Sequence, residues 1–173
     1  PSIEELSGKT FGIMGLGNIG RKVAEIATAF GMSVIYYSTS GNNLEQDYAN
    51  VSLQELMKRA DVLSIHAPLN EKTLDLIGEK EFEQCKDTAI LVSMGRGGIV
   101  NEQALANALL SIQLRGACLD VYEQEPVQKD NPLLNDKLAS KILFSPHIAW
   151  ASQEAREKLW LLTLENINAY LGK

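Results

Sequence analysis

Residues 10 to 20 read Thr10-Phe11-Gly12-Ile13-Met14-Gly15-Leu16-Gly17-Asn18-Ile19-Gly20, and a helical pattern runs on from Asn18 to Phe30. A short apolar run leads into three glycines spaced G-x-G-x-x-G, and these open directly into a helix. The three glycines do different things. Gly15 permits the tight turn, Gly17 lets the backbone approach a pyrophosphate, and Gly20 lets the helix pack closely on the strand. The helix N-terminus adds unpaired N–H groups and the positive end of its dipole. Glycine-rich turns also occur as plain loops, but the strand before this one and the helix after it select dinucleotide binding. Gly15, Gly17, Asn18, Ile19 and Gly20 are the candidate contacts.

The same alternation continues to the end of the chain. Apolar runs at Thr10 to Met14, Ser33 to Tyr37, Val62 to Ile65, Ala89 to Val92, Gly116 to Leu119 and Ile142 to Phe144 imply six strands. Amphipathic stretches at Asn18 to Phe30, Ser52 to Arg59 and Glu102 to Leu110 lie between them, so the fold class is α/β, a Rossmann-type doubly wound and mostly parallel sheet with helices on both faces. The stretch from Ser152 to Leu171 reads as one long amphipathic helix on Leu159, Leu162, Ile167 and Tyr170, stopped by Gly172. Glu123 to Pro132, with two prolines and several charges, reads as a surface loop rather than a linker.

One domain of 173 residues accommodates this pattern, and two would be cramped. The apolar share of 45% and charged share of 22% are those of an ordinary globular chain, and the net charge of −6 argues against a nucleic-acid partner. Small molecules are the expected partners. Cys85 and Cys118 have no C-x-x-C spacing, so neither a metal site nor a disulfide is expected, and both read as reduced packing residues. No apolar run approaches the ~20 residues that span a bilayer. No membrane partner and a cytoplasmic location are therefore expected. The chain opens at Pro1 without a methionine, which suggests a segment of something longer.

At the end of the second strand a dinucleotide site usually carries an acid for the adenosine ribose hydroxyls. Here the segment reads Tyr36-Tyr37-Ser38-Thr39-Ser40-Gly41-Asn42-Asn43, with Ser38 in that place and no Arg or Lys before Lys58. Lack of the acid weakens discrimination against a 2′-phosphate, and lack of a cation leaves little to attract one. NAD is the expected cofactor, with NADP also open. The hydroxyls could equally do no more than solvate a turn.

Four further segments carry a family resemblance. Ala60-Asp61-Val62 with His66-Ala67-Pro68-Leu69, then Ser93-Met94-Gly95-Arg96-Gly97-Gly98-Ile99-Val100, Leu119-Asp120-Val121-Tyr122-Glu123-Gln124-Glu125-Pro126 and Ser145-Pro146-His147-Ile148-Ala149-Trp150 resemble, in order, segments of the D-2-hydroxyacid dehydrogenases. The resemblance implies that residues 1–173 form the dinucleotide-binding domain of such an enzyme, with most of its substrate-binding domain absent from the chain. It also implies a 2-oxo or 2-hydroxy acid substrate and a homodimer. Arg96, Glu125 and His147 take the catalytic positions, and Pro68 and Asp120 join the cofactor contacts.

The chemistry of these residues agrees. Reducing a ketone by hydride transfer needs a proton delivered, and the reverse reaction needs one removed, so a group titrating near neutrality is required. His147 follows the sixth strand at its carboxyl end, where ligands bind in open α/β sheets; a plain surface histidine is the alternative. Glu125 would orient it and stabilise the imidazolium, whereas Glu123 reads as a solvated loop carboxylate. Arg96, between glycines, can present a planar fork to a carboxylate, or serve the turn itself. Asp120 either contacts the nicotinamide carboxamide, as the resemblance implies, or caps the loop backbone. His66 reads as structural. Two departures from the family pattern stand out: Ser93 replaces an asparagine, and Ser38 replaces the ribose acid. A dinucleotide-sensing, corepressor-like binding protein of the same fold is the competing reading, and the order of Arg, Glu and His points away from the adenosylhomocysteine hydrolases.

Overall fold

A computed structural model of the chain describes residues 3–42 and 47–172. Seven strands form one parallel sheet: β1 (Thr10–Met14), β2 (Ser33–Tyr37), β3 (Ala49–Asn50), β4 (Val62–Ile65), β5 (Ile90–Ser93), β6 (Gly116–Leu119) and β7 (Ile142–Phe144). Their order is β3-β2-β1-β4-β5-β6-β7. The chain winds outward from β1 to β3, then returns to start β4 on the other side of β1. That reversal opens a crevice at the carboxyl ends of β1 and β4, the place where doubly wound sheets bind ligands.

Alternation along the strands assigns side chains to two faces. Ile13 and Tyr36 turn toward helix α1 (Asn18–Ala29) and form a small core with Leu16 and Ala24. Met14 and Ile35 turn the other way. There they join the main core with Leu56 and Met57 of α2 (Leu53–Arg59), Phe82 of α3 (Glu79–Phe82) and Leu105 and Leu109 of α4 (Glu102–Leu110). Gly12 makes the second face fit, since a Cβ there would lie 2.9 Å from the Ala60 Cβ. Cys85 and Cys118 are both half-buried, and burial pushes the Cys85 thiol up to about 11 and raises that of Cys118.

The six strands expected from sequence all form, with β5 shifted by one residue. A seventh, β3, was not legible because two exposed residues carry no alternation. One-turn α3 is likewise too short for a helical period. Helix α5 (Gln153–Tyr170) forms over the expected range, but the burial implied by an amphipathic reading is absent: every residue in it is exposed, including Leu159, Leu162 and Ile167. Among the described residues no other element covers it. No helix among the described residues is long and apolar enough to cross a membrane.

Candidate active site in the crevice

The phosphate turn has the geometry its three glycines require. Gly15 sits at φ +89°, in the left-handed region that favours glycine. A Cβ on Gly20 would collide with the Gly15 carbonyl oxygen and reach 3.3 Å from Ile13 Cγ2, whereas one on Gly17 would meet nothing within 4 Å. Gly20 is therefore a packing glycine, and Gly17 leaves its face open to a ligand. No side chain caps the start of α1, so its first-turn N–H groups remain available to a pyrophosphate. Asn18 lies in that turn and accepts from Arg21 Nη2 at 3.2 Å. These residues fit a bound dinucleotide.

Two cavities run along the crevice from this turn, sharing His66. The first, about 790 Å³, is lined by Gly15, Leu16, Gly17, Ser38, Thr39, Ser40, Asn42, His66, Pro68, Asn70, Glu71 and Lys72. The Gly15 N–H donates to the Tyr37 carbonyl at 3.0 Å, which sets Ser38 beside the turn. Asn43 lies outside the described residues. Lys72, a cation the sequence around Ser38 does not show, lines the same cavity. It comes from the loop after β4, where Thr73 Oγ1 donates to the Pro68 carbonyl at 2.7 Å and Asn70 Oδ1 accepts from the Lys72 N–H at 2.9 Å. Local sequence around Ser38 could not show a residue delivered from another strand.

The second cavity, about 620 Å³, is lined by Ile19, Val23, His66, Met94, Arg96, Asp120, His147, Ala149, Trp150 and Leu159. It brings together Arg96, Asp120 and His147 from the ends of β5, β6 and β7. Arg96 is exposed; its Nη1 donates to the Gly95 carbonyl at 2.8 Å, and no carboxylate among the described residues pairs with it. The flanking glycines hold its loop in place: a Cβ on Gly97 would overlap the Tyr122 carbonyl, and one on Gly95 would lie 3.0 Å from the Ala67 carbonyl. Pro68 and Ile19 border the space between Arg96 and the phosphate turn.

His147 is the most constrained of the set. Its φ of +54° places a non-glycine residue in the left-handed region, which costs about 1 to 2 kcal/mol. Asp120 offsets that strain. Its Oδ1 accepts from Ser145 Oγ at 2.6 Å and the Ile148 N–H at 2.9 Å, and its Oδ2 accepts from the Ala149 N–H at 2.9 Å. The loop-capping alternative for Asp120 is thus the geometry observed. Burial raises the Asp120 pKa, but these hydrogen bonds outweigh it and hold the carboxyl below its ordinary range. Trp150 Nε1 closes the turn by donating to the His147 carbonyl at 2.8 Å.

Behind His147, Glu125 Oε2 lies 2.7 Å from Nδ1, and Oε1 accepts from the Tyr122 N–H at 3.1 Å. The hydrogen bond with His147 holds the Glu125 carboxyl below its ordinary range. With Nδ1 engaged, Nε2 is the ring nitrogen left for a substrate. Glu123 departs from its expected role, since it accepts from the Glu102 N–H at 3.0 Å at the start of α4, while Glu102 accepts from the Glu123 N–H at 2.8 Å. His66 Nε2 lies 2.9 Å from the buried Ser64 hydroxyl, and burial lowers its pKa. That position suits a neutral, structural ring. Nothing in the local sequence singles out Tyr122, yet its hydroxyl lies 2.9 Å from the Ser145 carbonyl and ties the Glu125 loop to the His147 turn.

Residues 1–149 match the family described as D-isomer specific 2-hydroxyacid dehydrogenase, NAD binding domain. The chain is 44% identical over 171 residues to a glyoxylate reductase of Aeropyrum pernix, covering 96% of this chain and 50% of that protein. Among solved structures it is similar to an acyclic imino acid reductase in complex with NADPH and D-Arg, at 40% identity and a TM-score of 0.88, covering 98% of this chain and 53% of the other. It is also similar to the D-lactate dehydrogenase of Aquifex aeolicus complexed with NAD and lactic acid, at 28% identity and a TM-score of 0.88, covering 98% and 55%. The chain spans about half the length of the relatives it matches. With the glycine turn, the parallel sheet order and the Arg96, Glu125 and His147 set in place, the chain belongs to the D-isomer specific 2-hydroxyacid dehydrogenase family, as its NAD binding domain.

Proposed function

We propose that this chain is the cofactor half of an enzyme that reduces small 2-oxo acids with NAD(P)H and oxidises the matching D-2-hydroxy acids. The observation that carries the reading is one cavity lined by both Arg96 and His147, with Glu125 2.7 Å behind the imidazole. The bound nicotinamide supplies or accepts the hydride. Arg96 holds the substrate carboxylate with its planar fork and polarises the adjacent carbonyl. His147, through Nε2, gives a proton to the carbonyl oxygen as it becomes a hydroxyl, and takes it back in the oxidation. Glu125 fixes the ring through Nδ1. Gly15, Gly17, Asn18, Ile19, Ser38 and Pro68 seat the cofactor, and Gly20 shapes the turn.

Closure of the crevice falls to a substrate-binding domain outside this chain, which chooses the substrate side chain. The uncovered apolar residues of α5 support further association, with a homodimer as the assembly, and the free thiols suit a reducing cytoplasm. The test is turnover by the full-length protein on glyoxylate, pyruvate and hydroxypyruvate with NADH and NADPH. Reduction of at least one supports the enzyme. Tight cofactor binding with no turnover on any would favour a cofactor-sensing binding protein of the same fold.

A further inference from the structure

Tyr122 lies where the loops that carry Arg96, Glu125 and His147 meet. Its N–H donates to Glu125 Oε1 at 3.1 Å. Its carbonyl sits so close to Gly97, the residue after Arg96, that a Cβ on Gly97 would overlap it. Its hydroxyl lies 2.9 Å from the Ser145 carbonyl and 3.1 Å from that of Leu119. Burial raises the pKa of this hydroxyl, and the Asp120 charge adds to the effect, so it keeps its proton and donates.

A phenylalanine would fill the same buried place against Phe144, whose ring centroid is 6.2 Å away, so packing does not require the hydroxyl. What the hydroxyl adds is direction. Ser145 stands two residues before His147, and Pro146 between them has a fixed φ, so a held Ser145 carbonyl leaves few torsions by which the imidazole can move. Asp120 holds the other side of the turn through the Ile148 and Ala149 N–H groups. Resting on the reading of His147 as proton donor, we propose that Tyr122 is a positioning residue for the reaction. Its hydroxyl sets the His147 ring relative to Glu125 and Arg96, whose loops rest on its own main chain.

Single-turnover oxidation of bound NADH by glyoxylate in the full-length protein separates positioning from packing when it is read in two backgrounds. In the wild-type background Tyr122→Phe should slow hydride transfer about tenfold, the effect of one buried hydrogen bond, with NADH affinity and the half-saturating glyoxylate concentration unmoved. In the His147→Ala background the same change should alter the residual rate by less than about twofold, because no ring is left to place. An unchanged rate in the wild-type background, an equal loss in both backgrounds, or a loss of NADH affinity in Tyr122→Phe would overturn the assignment while leaving His147 as the proton donor. A His147→Ala protein that kept most of its rate would bring down the proton-donor reading, and this inference with it.

Discussion

Beside the glycine turn the crevice is walled by glycine backbone, hydroxyls and one lysine, while at its other end Asp120 and Glu125 support a single histidine and its turn through a dense set of hydrogen bonds. The first end can be shaped by leaving side chains out, because a pyrophosphate needs donors and room. The second must hold a ring to within a fraction of an ångström, because proton transfer depends on geometry before acidity. Substitutions at the two ends should therefore separate cleanly, with cofactor affinity moving at one and turnover at the other.

The largest expected effect is at Arg96. Replacing it by Met removes the proposed carboxylate clamp, so kcat/KM for the full-length protein should fall about 100-fold to 10,000-fold, the equivalent of two charge-assisted hydrogen bonds. NADH affinity from fluorescence titration should hold. A matching loss of NADH affinity would merge the two ends.

Asp120→Asn comes next. The amide keeps one acceptor oxygen but cannot accept at both positions, so the left-handed His147 turn loses support. Denaturant unfolding should report a loss of about 1 to 3 kcal/mol. The Asp120 carboxyl is held below its ordinary range. Its stabilisation is therefore complete above the unfolded carboxylate pKa and is lost as pH falls through the lower folded value. The difference between wild type and variant should shrink on acidification, and a difference that stayed constant would remove the ionised carboxylate from the turn.

Glu125→Gln should act on ring placement. The amide weakens the contact 2.7 Å from Nδ1, so kcat for the full-length protein should fall about tenfold while NADH affinity holds, the effect of one charge-assisted hydrogen bond. An unchanged kcat would remove Glu125 from the support of His147. The smallest effect is at Ser38. Ser38→Asp restores an acceptor for the ribose hydroxyls and repels a 2′-phosphate, so the NADH to NADPH affinity ratio should rise several-fold. An unchanged ratio would take Ser38 out of the cofactor site.

The phosphate turn was legible because each glycine answers a separate backbone demand, visible now as a positive φ at Gly15, open space at Gly17 and a blocked Cβ at Gly20. The segments that carry Arg96, Glu125 and His147 stood out in the sequence, but the meeting of Arg96 and His147 in one cavity, with Glu125 behind the ring, is a product of strand order. Lys72 was not, since it enters the adenosine cavity from another strand's loop. Asp120 stood between two roles because local sequence does not say which backbone amides a loop carboxylate will meet. The exposure of α5 was illegible for the opposite reason: apolar spacing tells that a helix seeks cover, and among the described residues nothing supplies it.

Single-turnover mixing of the NADH-bound full-length protein with glyoxylate, in wild type and His147→Ala, tests the division between the two ends most directly. Wild type should oxidise its bound NADH, and the variant should bind NADH with unchanged affinity yet transfer hydride about 100-fold to 10,000-fold more slowly at every pH. A variant that kept most of the hydride-transfer rate would contradict the assignment of His147 as the proton donor and move the search to His66, the only other histidine in the chain.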